Sequence, residues 1–243
     1  METRPTETGI SGRIYPEQNA APYLSAQIRC GTPDPDPESP AASAIPDNYE
    51  GLQGRLTPIP YYRNCFVCGV ERAQPGLKRR FHLLSTPDSP MVCAFAGFDP
   101  GDHETVYRFA RNGSVHPMVL FSVLDETMGW GGFFLSGQGG VSVRLNYRLV
   151  RRIGLDEKLV FFGRGEAVKG RIEKRMFYWA SGCAAVMNPD GSFEIVAHST
   201  GQWLALSPLT VQMQKELIPE DLTRRIFETA QAENAASSSS ITP

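Results

Sequence analysis

The pattern of apolar and polar positions divides the chain into several strands and one long apolar segment. From Gly140 the residues alternate, with Val141, Val143, Leu145 and Tyr147 on one side and polar residues on the other. A period of two indicates a half-buried β-strand. Turn residues at Asn188–Gly191 predict a tight hairpin connection, and those at 86–90 another turn. Further strands are expected at 76–85, 91–98, 158–170, 171–188 and 192–207.

One segment is too long and too apolar to be a strand. Every residue from Pro117 to Leu124 except Ser122 is apolar. A helix that is apolar on all sides is buried on all sides, and Pro117 suits the first turn of such a helix. Two strands, a buried helix and then four strands predict an α+β fold in which an antiparallel sheet wraps around one long central helix.

The two ends of the chain lack this periodicity. Gly31–Gly51 is dense in proline, aspartate and serine, so residues 1–58 are predicted to form an irregular arm or linker. The sheet-and-helix domain is expected over 59–208. One or two amphipathic helices around Pro219 are expected over 209–234, and a disordered tail over 235–243.

Composition narrows the function classes. The 243 residues are 41% hydrophobic with a formal net charge of −2, and no basic run exceeds three residues, which argues against a nucleic-acid partner. No apolar stretch reaches the roughly 18 residues of a membrane span, and the polar N-terminus is unlike a signal peptide. The five cysteines are an odd number without secretory context, which favours reduced thiols and a cytoplasmic location.

Two carboxylates interrupt the apolar helix at Asp125 and Glu126. Burying an unpaired carboxylate costs several kcal/mol, so each must be paired, protonated or involved in chemistry. A structural role, such as pairing with Arg144 or capping a neighbouring loop, and a catalytic role are equally compatible with the residues alone.

Several motifs together resemble one family. Gly113-Ser-Val-His116 precedes the helix, an acidic residue follows His116 by nine positions, and the next strand begins with the sequence GVSV from Gly140. Upstream, the sequence NCFVCGVERAQPGL begins at Asn64. In order and spacing, these motifs resemble those of the hot-dog fold acyl-CoA thioesterases of the PaaI-like group, over roughly residues 64–206.

The resemblance implies hydrolysis of an acyl-CoA thioester, with Asp125 as nucleophile or general base. It also implies a hot-dog fold, an oxyanion site made by N–H groups at the helix start, and a homodimer or dimer of dimers with the site between subunits. It implies no metal and no organic cofactor. The candidate catalytic residues are Asp125, Ser142, His116 and Met118. The candidate substrate-binding residues are Asn112, Pro117, Glu126, Val141 and Val143.

The sequence departs from the family motif directly after His116. The family has glycines at the next two positions, where this chain has Pro117 and Met118, and proline has no N–H to donate to an oxyanion. Either the Met118 N–H takes this role, or the protein binds acyl thioesters without hydrolysing them. A hot-dog hydratase is a weaker alternative, because His116 and Asp125 lie too close in sequence for that pattern.

Cys65 and Cys68 form a C-x-x-C pair. A zinc site needs further ligands, and neither His82 nor Cys93 follows at a motif spacing. The helix pattern of a thioredoxin-like redox site is also missing. No metal is therefore expected at the pair, and the family resemblance implies that it is a structural feature of a loop near the start of the fold.

Overall fold

The computed structural model describes residues 2–6, 9–14, 24–29, 39–86 and 90–239, with side chains in the two longest ranges as far as residue 232. Internal contacts divide the chain into two units, Met1–Pro37 and Glu38–Pro243. In the first unit, strands β1 (Glu2–Thr6), β2 (Gly9–Ile14) and β3 (Leu24–Arg29) form an antiparallel sheet in that order.

The second unit is built on a seven-stranded antiparallel sheet with the order β10-β13-β12-β11-β7-β6-β4. Two pairs of two-residue strands lie outside it: β5 with β14, and β8 with β9. The strands of this unit are β4 (Leu56–Pro58), β5 (Tyr61–Tyr62), β6 (Phe81–Leu84), β7 (Met91–Ala96), β8 (Ala110–Arg111), β9 (Ser114–Val115), β10 (Gly140–Leu149), β11 (Leu159–Arg171), β12 (Arg175–Met187), β13 (Phe193–Ala205) and β14 (Leu217–Ile218).

Helix α1 (Pro117–Ser136) packs against this sheet and contacts β7 and β10–β13. It begins at the N-cap residue His116 and ends at Gly137, whose φ of 67° is left-handed. Alternate residues of the strands, such as Leu159 and Phe161 of β11, point into the core beside the helix. A long helix enclosed by one antiparallel sheet is the hot-dog arrangement, so the predicted fold class is confirmed.

The helix approaches the centre of the sheet so closely that glycine is required on both elements. A Cβ at Gly131 of α1 would lie 2.6 Å from the Cα of Arg164 on β11. A Cβ at Gly163 of β11 would lie 2.6 Å from the carbonyl carbon of Thr127. The contacting atoms are backbone atoms on both sides, so no side-chain rotation can make room.

The opposite face of the sheet is covered by residues 39–58. The backbone N–H of Ser39 donates to Nδ1 of His198 at 3.2 Å, and that of Ala41 to Oγ of Ser181 at 2.9 Å. Leu52 is fully buried in a second core cluster, which includes Val160 and other outward-facing residues of β11 and β12.

The described structure of residues 1–58 therefore differs from the predicted irregular arm. Besides β1–β3, it contains short 3₁₀ helices at Pro40–Ser43 and Tyr49–Leu52, and Leu56–Pro58 joins the main sheet as its last strand. Proline limits regular hydrogen bonding, but its fixed φ is compatible with 3₁₀ turns and edge strands. Apolar residues at 41 and 52 then anchor the segment to the sheet.

The C-terminal part contains α2 (Ser207–Glu216) and α3 (Glu220–Ser239), on either side of Pro219 as predicted. The backbone is helical as far as Ser239, five residues into the predicted disordered tail, and residues 240–243 lie outside the described part. The hairpin turn at Asn188–Gly191 is confirmed. Part of the predicted turn at 86–90 lies outside the described residues. No helix in the described part of the chain combines the length and apolar content needed to cross a membrane.

Two glycines of α1 provide a test of the close helix–sheet contact. Gly131→Ala should lower the free energy of unfolding by about 1–3 kcal/mol, because the new Cβ overlaps the β11 backbone. Gly129→Ala is the control, because its nearest neighbour would be 3.8 Å away, at Nε1 of Trp203. It should stabilise the protein by up to about 1 kcal/mol through helix propensity. Urea unfolding measures both changes, and equal effects would contradict the predicted contact.

Candidate functional site

The helix start is built from His116, Pro117, Met118 and Val119, and most of its N–H groups already have a role. Pro117 is at the first helical position and has no N–H. The N–H of Met118 donates to Nδ1 of His116 at 3.2 Å, and the N–H of Val119 donates to the carbonyl of His116 at 2.9 Å. His116 thus acts as the cap of α1, and it occupies the N–H that the sequence analysis considers for the oxyanion.

Asp125 lies about two turns further along α1 and is largely buried. Its Oδ1 has no hydrogen-bond partner in the described structure. Burial raises the pKa of Asp125 from its ordinary 3.8 to about 6. The pKa values of Tyr147 and Tyr178 are raised, mainly because these side chains are buried and also because the negative charge of Asp125 lies nearby. No ion pair with Arg144 forms, so the structural role considered for Asp125 has no support among the described side chains.

Glu126 points to a different part of the molecule, because consecutive helical residues are about 100° apart. Its carboxylate lies within 4.8 Å of the Sγ atoms of Cys65 and Cys68. Burial, the charge of Cys65 and that of Asp125 raise the pKa of Glu126 to about 8, although the Cys68 thiol and the Trp130 indole act to lower it. The structure therefore separates the two carboxylates. Glu126 faces the loop that carries Cys65 and Cys68, called the cysteine loop below, and Asp125 lies near Tyr147 and Tyr178.

Three predicted site residues lie on strand β10. Ser142, Val141 and Val143 are all exposed, with 44% of Val141 and 51% of Val143 accessible to solvent. The register of β10 against β13 shifts between Ser142 and Arg144, which is the signature of a β-bulge. Residues 141–144 are all exposed, so neither face of this part of the edge strand is covered, although strict alternation predicts one buried face. Within one chain no hydrogen bond joins Ser142 to Asp125.

Asn112 occupies a turn position. With φ of 53° at Asn112 and 71° at Gly113, these two residues connect β8 to β9. Asn-Gly is the usual sequence of such a hairpin turn. Asn112 is exposed there. The left-handed backbone of this turn explains why an asparagine occupies the position.

A cavity of about 380 Å³ opens at the start of α1. It is open to solvent and lies between the helix, the cysteine loop and residues 109–111, and Phe66 packs edge-on against Phe109 at 5.5 Å between ring centres. The lining residues are Phe66, Phe109, Ala110, Arg111, His116, Met118, Val119 and Ser122.

The cavity brings together His116 and Met118 of the predicted residues, with Asp125 one helical turn beyond Ser122. Asn112, Val141, Ser142 and Val143 are not among the lining residues. Phe66, Phe109 and Arg111 were not predicted as site residues, because they belong to loops and to a two-residue strand that have no periodic pattern.

No family model matches the chain, and no curated protein matches it. Among solved structures, a thioesterase superfamily protein is 23% identical with a TM-score of 0.43, over 58% of this chain and 60% of its own, so the chain spans less than two thirds of that protein.

Two further matches are similar in kind. Thioesterase superfamily member 2 of zebra fish is 16% identical with a TM-score of 0.38, over 51% of this chain and 80% of its own. A hypothetical thioesterase with coenzyme A from Streptococcus pneumoniae TIGR4 is 18% identical with a TM-score of 0.38, over 51% of this chain and 84% of its own.

The raised pKa of Asp125 predicts a pH-dependent gain in stability for Asp125→Asn. Because the folded-state pKa of about 6 exceeds the unfolded value near 3.8, ionised Asp125 destabilises the fold, fully above pH 6 and progressively less down to pH 4. The variant should be more stable than the wild type by on the order of 2 kcal/mol at pH 8, and by much less at pH 4. Denaturant unfolding at both pH values checks this. Asp156→Asn, at an exposed position, is the control and should change little; a gain at pH 8 no larger than that of the control would contradict the prediction.

Proposed function

We propose that this protein is an acyl-CoA thioesterase in which Asp125 is the catalytic carboxylate. One observation carries the proposal: a helix-borne carboxylate is buried with an unsatisfied oxygen, one turn beyond a cavity at the helix start. A carboxylate kept without a partner at a cost in stability is expected where it performs chemistry.

The reaction needs one proton acceptor and one nucleophile. With Asp125 as general base, a water oxygen forms a bond to the thioester carbonyl carbon while Asp125 takes a proton from the water. The carbon–sulfur bond then breaks, the CoA thiolate takes up a proton, and a carboxylic acid and free CoA are formed. In the nucleophilic variant, an oxygen of Asp125 attacks first and water hydrolyses the resulting anhydride.

The cavity supports a thioester with an anionic carrier. Phe66, Phe109 and Val119 provide apolar walls for an acyl group or for the pantetheine chain. Arg111 lies at the same cavity and is exposed, which suits contact with phosphate groups.

One observation favours the second candidate, an acyl-thioester-binding protein without turnover. Pro117 cannot donate a hydrogen bond, and the Met118 N–H is held by His116 at 3.2 Å. An oxyanion could use the Met118 N–H only after the His116 ring moves away from it. Loss of one oxyanion donor typically lowers kcat by about 10²–10³-fold. Whether the Met118 N–H stays bonded to His116 therefore determines whether the protein hydrolyses the thioester slowly or only binds it.

We also propose that the protein functions as a homodimer that pairs through β10. This strand is at one edge of the seven-stranded sheet, and residues 141–144 are all exposed. An edge with unpaired backbone groups and exposed valines is a template for strand pairing. Pairing would bring Val141, Ser142 and Val143 of one subunit next to the other subunit, in keeping with the site roles that the sequence analysis assigns to them.

The Asp125→Asn variant tests the catalytic assignment. With a panel of acyl-CoA thioesters, the wild type should hydrolyse at least one, and the variant should lose about 10²-fold or more in kcat while it still binds substrate. The wild-type kcat/KM should fall as the pH drops below about 6, because protonated Asp125 is inactive. Free CoA detected with a thiol reagent measures turnover, and calorimetry measures binding.

The same panel separates the two candidates. Full activity in Asp125→Asn would exclude Asp125 as the catalyst. Binding without turnover in the wild type, followed by turnover in Pro117→Gly, would establish the second candidate, because the glycine restores an N–H at the helix start.

Val143→Lys tests the proposed dimer. A lysine on the exposed edge strand introduces charge repulsion across the two-fold axis, so the dissociation constant should rise by at least about tenfold. Size-exclusion chromatography with light scattering measures the mass. Val168→Lys is the matched control, because Val168 is an exposed valine (37% accessible) on β11, away from the β10 edge. A monomeric wild type, or a dimer unaffected by Val143→Lys, would contradict the proposal.

A further inference from the structure

Three potential metal ligands converge between the cysteine loop and helix α1. The Sγ atoms of Cys65 and Cys68 and a carboxylate oxygen of Glu126 all lie within 4.8 Å of one another. Tetrahedral zinc, with bonds of about 2.3 Å to sulfur and about 2.0 Å to oxygen, holds its ligands roughly 3.5–3.8 Å apart. The three donors can therefore close around one ion with shifts on the order of 1 Å.

The loop is already shaped to present a thiolate. The backbone N–H groups of Val67 and Cys68 point at Sγ of Cys65, at 3.3 and 3.4 Å. Such N–H groups stabilise the negative charge of a metal-bound thiolate and fix its direction. The turn closes with the N–H of Gly69 donating to the carbonyl of Cys65 at 3.1 Å. A Cβ at Gly69 would lie 2.4 Å from that carbonyl oxygen, so only glycine allows this turn.

Glu126 supplies the third donor from a different element. It lies in the middle of α1, one helical turn before the buried Trp130. Among the described residues, none of the ion pairs involves Glu126, so three acidic groups share this site without a basic side chain. A divalent cation would provide the missing positive charge.

We propose that Cys65, Cys68 and Glu126 bind one Zn²⁺ ion, with a water molecule as the fourth ligand. Two thiolates and one carboxylate suit the borderline-soft Zn²⁺ better than Mg²⁺ or Ca²⁺, which prefer oxygen ligands only. Binding releases the two thiol protons to solvent, and the carboxylate binds in its ionised form. The ion fastens the cysteine loop to α1 next to Asp125, and this site does not depend on the proposed hydrolysis.

The sequence analysis expects no metal here, because C-x-x-C lacks a second ligand pair at a motif spacing. The third ligand follows Cys68 by 58 positions and reaches it only through the packing of α1. A search by spacing cannot find such a ligand.

Zinc content and affinity of the full chain test the proposal. Protein expressed with added zinc and purified under reducing conditions should contain one zinc per chain by mass spectrometry of the metal. Metal-free protein should bind one Zn²⁺ in competition with a chromogenic chelator, and the bound ion should raise Tm. With Co²⁺ as a probe, thiolate-to-cobalt charge-transfer absorption should appear together with the intense visible bands of tetrahedral cobalt.

Variants identify the ligands. Cys65→Ser and Cys68→Ser should lose the charge-transfer absorption and most of the bound zinc. Glu126→Gln, which keeps the shape of the side chain, should weaken zinc binding by at least about tenfold while both thiolates remain bound. Cys93→Ser and Cys183→Ser are matched controls, because these buried thiols lie on the outer face of the sheet, and both should keep one zinc per chain.

Three results would overturn the proposal: less than about 0.2 zinc per chain after reconstitution, equal zinc in the Cys65→Ser/Cys68→Ser double variant, or a Cys65–Cys68 disulfide in protein purified under reducing conditions. If the cysteine variants fail to fold by circular dichroism, the cobalt spectrum of the wild type and the Glu126→Gln titration still decide, because neither needs those variants.

Discussion

The contact between helix α1 and strand β11 determines how everything else in the second unit is arranged. Their backbones approach so closely that Gly131 and Gly163 leave no space for a methyl group. This contact fixes both the distance of the helix from the sheet and its rotation, because Gly131 of the helix must face β11 and Gly163 of β11 must face the helix. With the rotation fixed, the direction of every other side chain on α1 is also fixed.

Asp125 and Glu126 show the consequence of that rotation. One carboxylate lies near Tyr147 and Tyr178, and the next lies against the cysteine loop. Both have a raised pKa, chiefly because burial penalises the charged form. A rotation of the helix by one residue, about 100°, would move one carboxylate into the surroundings of the other and turn the second one away from both, so the close glycine contact is a condition for the chemistry proposed at either position.

The residues were sufficient to predict an antiparallel sheet around one long buried helix, because the alternation in β10 and the apolar run of α1 are strong patterns, whereas the hot-dog fold was implied by the family resemblance. The sequence pattern was not sufficient for the contacts between elements. The capture of the Met118 N–H by His116 depends on a side-chain rotamer, and the approach of Glu126 to Cys65 depends on tertiary packing. Val141 and Val143 were predicted to lie on one face of a half-buried strand, but this end of β10 is exposed on both faces, because β10 is an edge strand and the rest of the chain does not cover it.

Residues 39–58 have a consequence for assembly. This segment hydrogen-bonds to Ser181 and His198 and buries Leu52 against outward-facing residues of β11 and β12. A second sheet cannot stack directly on a face that the chain itself already covers. The segment therefore already provides, within one chain, the apolar cover that this part of the sheet needs.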